Sequence, residues 1–281
     1  MKKRFVPFAS FFLLVLATVS FGQLSVGGTL FYGGLKAYED GRYAEAERLF
    51  RLVVVEVDKA AKEGNPLAPG LMSDTLNALA LALHREGKFA EAEEILLKVI
   101  QLLEKERIES DSDFSQTSKV LNNLGLIYTE QKKFKEAEET HRKAIRLREK
   151  YDLPPRRNLA ASMLNLGKVF YDQAKYLEAE QFFLQAQSIF MAIDPRNATG
   201  EDIDMMLTTA NNLALIAVRR GLYKEAEALY LMVITGTEVK KGRSHPDLAL
   251  YLNNYAELLR LTKRTAIAKK VEARALAISK Q

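Results

Sequence analysis

The stretch that decides the fold is Leu121–Ile145, LNNLGLIYTEQKKFKEAEETHRKAI. Its first half spaces apolar or small residues as one buried face of a helix does: Leu121, Leu124, Gly125 and Tyr128. A polar turn follows at residues 130–133, and a second helical face begins at Phe134. A helix pair this short cannot cover its own apolar face, so the stretch predicts stacking on neighbouring pairs.

The same pattern recurs along the chain and is marked by the signature aromatic-x-Glu-Ala-Glu. The signature begins at Tyr43, Phe89, Phe134, Tyr176 and Tyr223, and a degenerate copy begins at Thr265. Successive copies are 42 to 47 residues apart. The chain is therefore predicted to contain about six helix pairs.

Two columns of small residues accompany the signature. One lies in the second helices: Ala46, Ala92, Ala137, Ala179, Ala226 and Ala268. The other lies nine residues before each signature: Gly34, Ala80, Gly125, Gly167, Ala214 and Ala256. Small residues let helices approach closely, and a larger side chain there is expected to overpack the pair by about 1–3 kcal/mol.

These features resemble the tetratricopeptide repeat (TPR), in the long-period variety found in kinesin light chains. The phrases that carry the resemblance are LNNLGLIY (121–128), NNLALI (211–216) and HPDLALYLNNYAELL (245–259). The resemblance implies an all-α, right-handed α-solenoid of about six TPR-like helix pairs. The expected repeats lie at about 29–62, 72–108, 115–151, 157–192, 203–240 and 245–279, in one superhelical domain over residues 23–281.

The first 22 residues are expected to form a secretory signal peptide. Lys2, Lys3 and Arg4 precede an apolar run that is short for a membrane-spanning helix. Ser20 and Gly22 stand where a cleavage site requires small residues. The expected location is the periplasm or the exterior. The alternative is a membrane anchor formed by residues 8–21, so contact with a membrane is expected only if the leader is retained.

Composition argues against several functional classes. The formal charge is +5, but the leader supplies three of those charges, and acids and bases alternate along the predicted helices. The sequence contains no basic stripe with interleaved aromatic residues, so nucleic-acid binding is not predicted. The chain has no cysteine, and its three histidines lie in three different repeats. No catalytic constellation, metal site, cofactor site or small-molecule substrate site is predicted, and His141 is expected to be a structural histidine.

Asparagine supplies the candidate site. Asn123, Asn165, Asn212 and Asn254 precede the Leu-Gly or Leu-Ala pair of four first helices, and three of them follow another asparagine: Asn122, Asn211 and Asn253. Asparagine is a mediocre helix former, so its recurrence needs a reason. In the superhelix that the resemblance implies, this position points into the concave groove. There a row of amides can hold a peptide backbone.

The resemblance therefore implies a non-enzymatic protein-interaction module that binds an extended peptide or partner segment along these amides. Lys168 and Arg219 are expected to line the same groove and to favour acidic ligands. Two alternatives stay open. The amides bond across adjacent first helices and fix the repeat register, or the chain is a self-assembling envelope scaffold without a dedicated peptide ligand.

Overall fold

The computed structural model describes residues 25–65, 68–105, 111–151, 156–194 and 196–280. These residues form twelve α-helices, and the described part contains no strand. The helices are α1 Ser25–Glu39, α2 Tyr43–Lys62, α3 Ala68–Arg85, α4 Phe89–Lys105, α5 Asp111–Glu130, α6 Phe134–Tyr151, α7 Arg157–Asp172, α8 Tyr176–Met191, α9 Gly200–Arg219, α10 Tyr223–Lys241, α11 Asp247–Leu261 and α12 Thr265–Ser279. The prediction of an all-α solenoid of helix pairs is confirmed.

The helices fall into two compact units. The N-terminal unit contains α1–α6, and the C-terminal unit contains α7–α12. Within each unit, every helix packs on the next one along the chain, and each first helix also contacts the first helix of the following pair. The predicted single domain over residues 23–281 stays a prediction. The expected leader, residues 1–22, lies outside the described residues.

The turn inside each helix pair has one repeated geometry. Two residues before the signature, the backbone enters the left-handed region in all six pairs: Gly41, Gly87, Lys132, Ala174, Gly221 and Lys263. This conformation ends the first helix, and the next backbone N–H bonds back to a carbonyl in the last turn, as Arg42 does to Ala37 at 2.8 Å. Glycine adopts it without strain, whereas Lys132, Ala174 and Lys263 accept it at a steric cost.

The two small-residue columns lie in the core, as expected. All six alanines of the second helices are fully buried. The glycines of the first helices face a different column, four residues after the alanine, where a ring stands. A Cβ on Gly34, Gly125 or Gly167 would lie 2.7, 2.6 or 2.5 Å from the rings of Phe50, His141 and Phe183, respectively. Each glycine therefore makes room for a ring.

The starts of α11 and α9 are capped differently. Ser244 and Asp247 resemble a capping box, but the residue that caps α11 is Pro246, and it has no side-chain cap bond. Asp247 instead pairs with Lys241 at 2.8 Å. A complete capping box forms at Thr199 and Asp202, where α9 begins.

Candidate functional site

The predicted amides lie on the first helices and are mostly buried. Asn122 and Asn123 on α5, Asn165 on α7, Asn211 and Asn212 on α9 and Asn254 on α11 are all buried, whereas Asn253 on α11 is exposed. Asn77 on α3 is also buried. Buried amides must satisfy two donors and an acceptor, so their partners decide what each can do.

Four of these asparagines bond to each other across neighbouring first helices. Asn123 Nδ2 donates to Asn77 Oδ1 at 2.8 Å, and Asn254 Nδ2 donates to Asn211 Oδ1 at 3.0 Å. Both bonds join the second asparagine position of one repeat to the first position of the preceding repeat. This geometry supports the register role for these two pairs.

Asn122 has another structural partner. Its Oδ1 lies 3.2 Å from Nδ1 of His141, which is fully buried and packs against Gly125. The bond connects the two helices of one pair, α5 and α6. His141 therefore stands where Phe50 and Phe183 stand in other repeats, and Asn122 satisfies one of its ring nitrogens.

Asn165 and Asn212 form a different subset. They occupy the same repeat position on the neighbouring helices α7 and α9, and their exposed fractions are 7% and 4%. Within the described ranges, neither amide has a hydrogen-bonded protein partner. A nearly buried amide in this situation is normally satisfied by water or by a ligand.

The two predicted cations lie on the same helices as these amides, Lys168 on α7 and Arg219 on α9, and both have neighbouring polar groups. Lys168 Nζ bonds to Asp172 at 2.5 Å, one turn along α7. The nearby Tyr171 hydroxyl raises the pKa of the Arg219 guanidinium, and burial raises the pKa of Tyr171 itself. Glu257 on α11 adds a negative charge near both groups. Charges of both signs therefore surround the two predicted cations.

Sequence reasoning missed a ladder of ion pairs at the turn end of the helix pairs. The second glutamate of a signature accepts a hydrogen bond from a basic residue in the turn of the next pair. The pairs are Glu47–Lys88 at 2.6 Å, Glu93–Lys133 at 2.8 Å, Glu180–Arg220 at 2.5 Å and Glu227–Arg264 at 2.6 Å. Burial raises the pKa of Glu47, but hydrogen bonds from Lys88 and Arg51 outweigh it, so the pKa lies below its ordinary value. The sequence does show a basic residue one to three positions before the signature in each of these repeats, and this recurrence could have indicated the ion pairs.

A second polar cluster lies between α3 and α5. Gln116 Nε2 donates to Asp74 Oδ1 at 3.0 Å, and Lys119 lies nearby. Burial raises the pKa of Asp74 to about 6, against weaker opposing effects of Lys119 and Gln116. The charged carboxylate is thus less stable in the folded chain than in water.

We expect Asp74→Asn to change how stability depends on pH. The folded Asp74 binds its proton more tightly than the unfolded one, so the wild-type chain loses stability relative to the variant as the pH rises from 4 to 7. A pKa difference of two units corresponds to about 3 kcal/mol. Urea unfolding at several pH values measures the difference. A stability difference between the two chains that stays constant across this pH range would contradict the raised pKa of Asp74. The substitution is conservative, because Gln116 Nε2 can still donate to the amide oxygen of the asparagine at position 74.

The described residues were also compared with what a metal site requires. No group of three or more potential metal ligands comes together in the ranges that the structure covers. His84 is largely buried, and burial lowers its pKa to about 4. Among the described helices, none is long and apolar enough to cross a membrane.

Comparisons with known proteins point to one family. Two sequence models, both described as Tetratricopeptide repeat, match the chain, one over residues 116–192 and 205–281 and the other over residues 73–106. No curated protein sequence matches.

Several solved structures have a similar fold. The structure of BtubC (BKLC) from P. vanneervenii has 18% identity and a TM-score of 0.67, and covers 83% of this chain and 89% of that one. A putative kinesin light chain of Podosopora anserina has 19% identity and a TM-score of 0.55, with coverages of 76% and 95%. NprR, the quorum sensor of B. thuringiensis, in complex with its cognate peptide NprX has 15% identity and a TM-score of 0.58, with coverages of 90% and 67%. Identities this low establish similarity of fold alone.

Proposed function

Because the chain belongs to the tetratricopeptide repeat family, whose repeats form protein-interaction modules, we propose that it holds an extended peptide or partner segment without catalysing a reaction. The proposed contact surface is the part of α7 and α9 that contains Asn165, Asn212, Lys168 and Arg219. One observation carries the proposal: Asn165 and Asn212 are aligned, nearly buried amides for which the described residues supply no partner. A peptide backbone offers the acceptors and donors that such amides need.

The other asparagines have a different role in this proposal. The pairs Asn77–Asn123 and Asn211–Asn254 hold adjacent first helices in register through buried hydrogen bonds. Asn165 and Asn212 are then left for the ligand. The similar fold of NprR, which was solved with its cognate peptide, supports a peptide as the ligand class.

Alanine at both Asn165 and Asn212 is expected to weaken peptide binding about 30-fold. The probe is a set of peptides selected against this chain from a random 12-residue library and then synthesised with a dye. Each lost hydrogen bond contributes about 0.5–1.5 kcal/mol, and 2 kcal/mol in total corresponds to about 30-fold. Fluorescence anisotropy measures the affinity, and circular dichroism verifies that helicity is retained.

Asn211→Ala is the matched control, because it also removes a buried first-helix amide. It leaves the Asn254 donor without its partner, so we expect the free energy of unfolding to fall by about 1–2 kcal/mol. The affinity of the folded variant for the peptides is expected to stay unchanged. Equal affinity losses in both variants, or none in the double variant, would show that the amides serve packing alone.

A further inference from the structure

A groove of about 650 Å³ opens between α4, α5 and α6, on a different face of α5 from Asn123. Its floor is apolar and includes Leu97 and Ile100 on α4, Leu121 and Leu124 on α5 and Leu147 on α6. Leu97 is exposed. The volume lies in the range of cavities that accept several side chains of a ligand.

One end of the groove is closed by two stacked rings. Phe114 at the start of α5 and Tyr151 at the end of α6 are parallel within 3°, with ring centroids 3.9 Å apart. Lys150 lies over the Tyr151 ring, 4.8 Å from its centroid. These contacts hold the start of α5 and the end of α6 together, so the groove wall is built from packed residues rather than from a loop.

The charges that α6 contributes to the rim are sorted by sign. On α6, Glu136 and Glu139 occupy the first two turns, and Lys143, Arg146 and Lys150 follow in the later turns. All five are exposed, and none has an ion-pair partner among the residues that the structure describes. The glutamates of the turn-end ladder, in contrast, are paired. Along α6 the rim therefore presents an acidic end and a basic end, and the midpoint of Glu136 and Glu139 lies about 16 Å from that of Arg146 and Lys150 at 1.5 Å per residue. Glu104, in the last turn of α4, also lines the groove.

We propose that this groove binds one amphipathic helix of a partner protein, lying antiparallel to α6. The apolar face of the partner helix covers Leu97, Ile100, Leu121 and Leu124. Its acidic first turn lies beside Arg146 and Lys150, and its basic last turn lies beside Glu136 and Glu139.

The charge order sets the direction of the partner. Helices commonly have acids in the first turn and bases in the last, because those positions complement the helix dipole. Laid antiparallel to α6, such a helix places each charged end against the opposite sign. Laid parallel, it places like charges together, which disfavours binding. The occupant is a helix, since α6 lines the groove at helical spacing from Glu136 to Tyr151, so the binding surface runs along almost the whole 18-residue helix.

Two synthetic peptides test the proposal on the intact chain. Both have 16 residues, the same composition and the same apolar face, with leucines at helical spacing. One has glutamates in the first turn and lysines in the last, and the other has the reverse order. Fluorescence anisotropy at low salt is expected to show at least tenfold tighter binding of the first peptide, and the difference is expected to shrink as salt is added.

Reversing the rim charges on the chain itself tests the same proposed orientation of the partner helix. The combined substitutions Glu136→Lys, Glu139→Lys, Arg146→Glu and Lys150→Glu keep the net charge and lie on the surface. They are expected to invert the preference between the two peptides. The matched control is Glu94→Lys with Lys98→Glu, an exposed pair on α4 outside the groove, and the preference is expected to stay as in the wild-type chain.

Three results would overturn the proposal: no binding of either peptide, equal binding of both, or the same response in the control variant. Self-association of the wild-type chain at micromolar concentration, abolished by the charge swap in light scattering, would show that a second copy occupies the groove instead. The amides at Asn165 and Asn212 lie in the other unit, so failure here leaves the test of peptide binding unaffected.

Discussion

Phe183→Ala is expected to lower the free energy of unfolding by about 3–5 kcal/mol. The Phe183 ring is fully buried on α8 and fills the space that Gly167 leaves on α7. Removing the ring takes away apolar burial and leaves a cavity, because the two helices are already held by the surrounding pairs. Urea unfolding followed by far-ultraviolet circular dichroism measures the loss.

Combining Gly167→Ala with Phe183→Ala tests whether the contact between the ring and the glycine causes this loss. Gly167→Ala alone is expected to destabilise the chain by about 1–3 kcal/mol, because its Cβ would lie 2.5 Å from the ring. In the Phe183→Ala background the same change is expected to stabilise by up to about 1 kcal/mol, since alanine favours helix over glycine. Gly33→Ala is the control: its Cβ meets only Leu49, at 3.5 Å. Additive effects at positions 167 and 183 would contradict the ring-to-glycine contact.

Asp202→Ala is expected to cost about 3 kcal/mol, a large effect for one substitution on a helix end. Asp202 is 1% exposed and accepts hydrogen bonds from Arg157 Nε at 2.5 Å and from the backbone N–H of Thr199 at 2.6 Å. Alanine removes the capping box of α9 and leaves the Arg157 guanidinium without its carboxylate. Arg157 also donates to the Asn197 carbonyl at 3.0 Å, so the start of α7 and the loop before α9 both depend on this cluster.

Two variants separate the cap from the ion pair. Thr199→Ala removes only part of the cap and is expected to cost about 1 kcal/mol. Arg157→Ala is expected to cost far less in the Asp202→Ala background than in the wild-type chain, because its partner is already gone. Burial raises the pKa of Asp202, but the bonds from Arg157 and Thr199 outweigh it and lower the pKa below the ordinary value. This stabilisation is therefore lost as the pH falls through that lowered pKa. A cost below 1 kcal/mol for Asp202→Ala would refute the coupled cluster.

The candidate site was only partly predictable. The repeat pattern located each candidate asparagine on a first helix, but it did not distinguish Asn211, which bonds to Asn254, from Asn212, which has no partner among the described residues. These two residues are neighbours in sequence and of the same type. Their difference arises because each points to a different side of α9, and only the side facing the next helix offers another amide.

The groove between α4 and α6 shows the same limit. Glu136, Glu139, Lys143 and Arg146 were visible in the sequence as charges on a helix, and such a run is typical of a solvated face. Their role as one rim appears only when α4 and α5 supply an apolar floor beside them. The stacking of Phe114 on Tyr151, which are 37 residues apart in the chain, also cannot be inferred from local sequence spacing.

The sequence by itself determined the helices, their pairing and their family, because those properties depend on residue spacing within about 40 positions. Gly125, Ala137 and Phe134 recur at fixed offsets, and any chain with those offsets must bury the same faces. Tertiary structure alone decided the partners: the Asn77–Asn123 bond, the Glu47–Lys88 pair and the Arg157–Asp202 cluster all join residues 41 to 46 positions apart. The physical reason is that a polar side chain on a repeat has several neighbours within reach. Packing of the next repeat then selects among them.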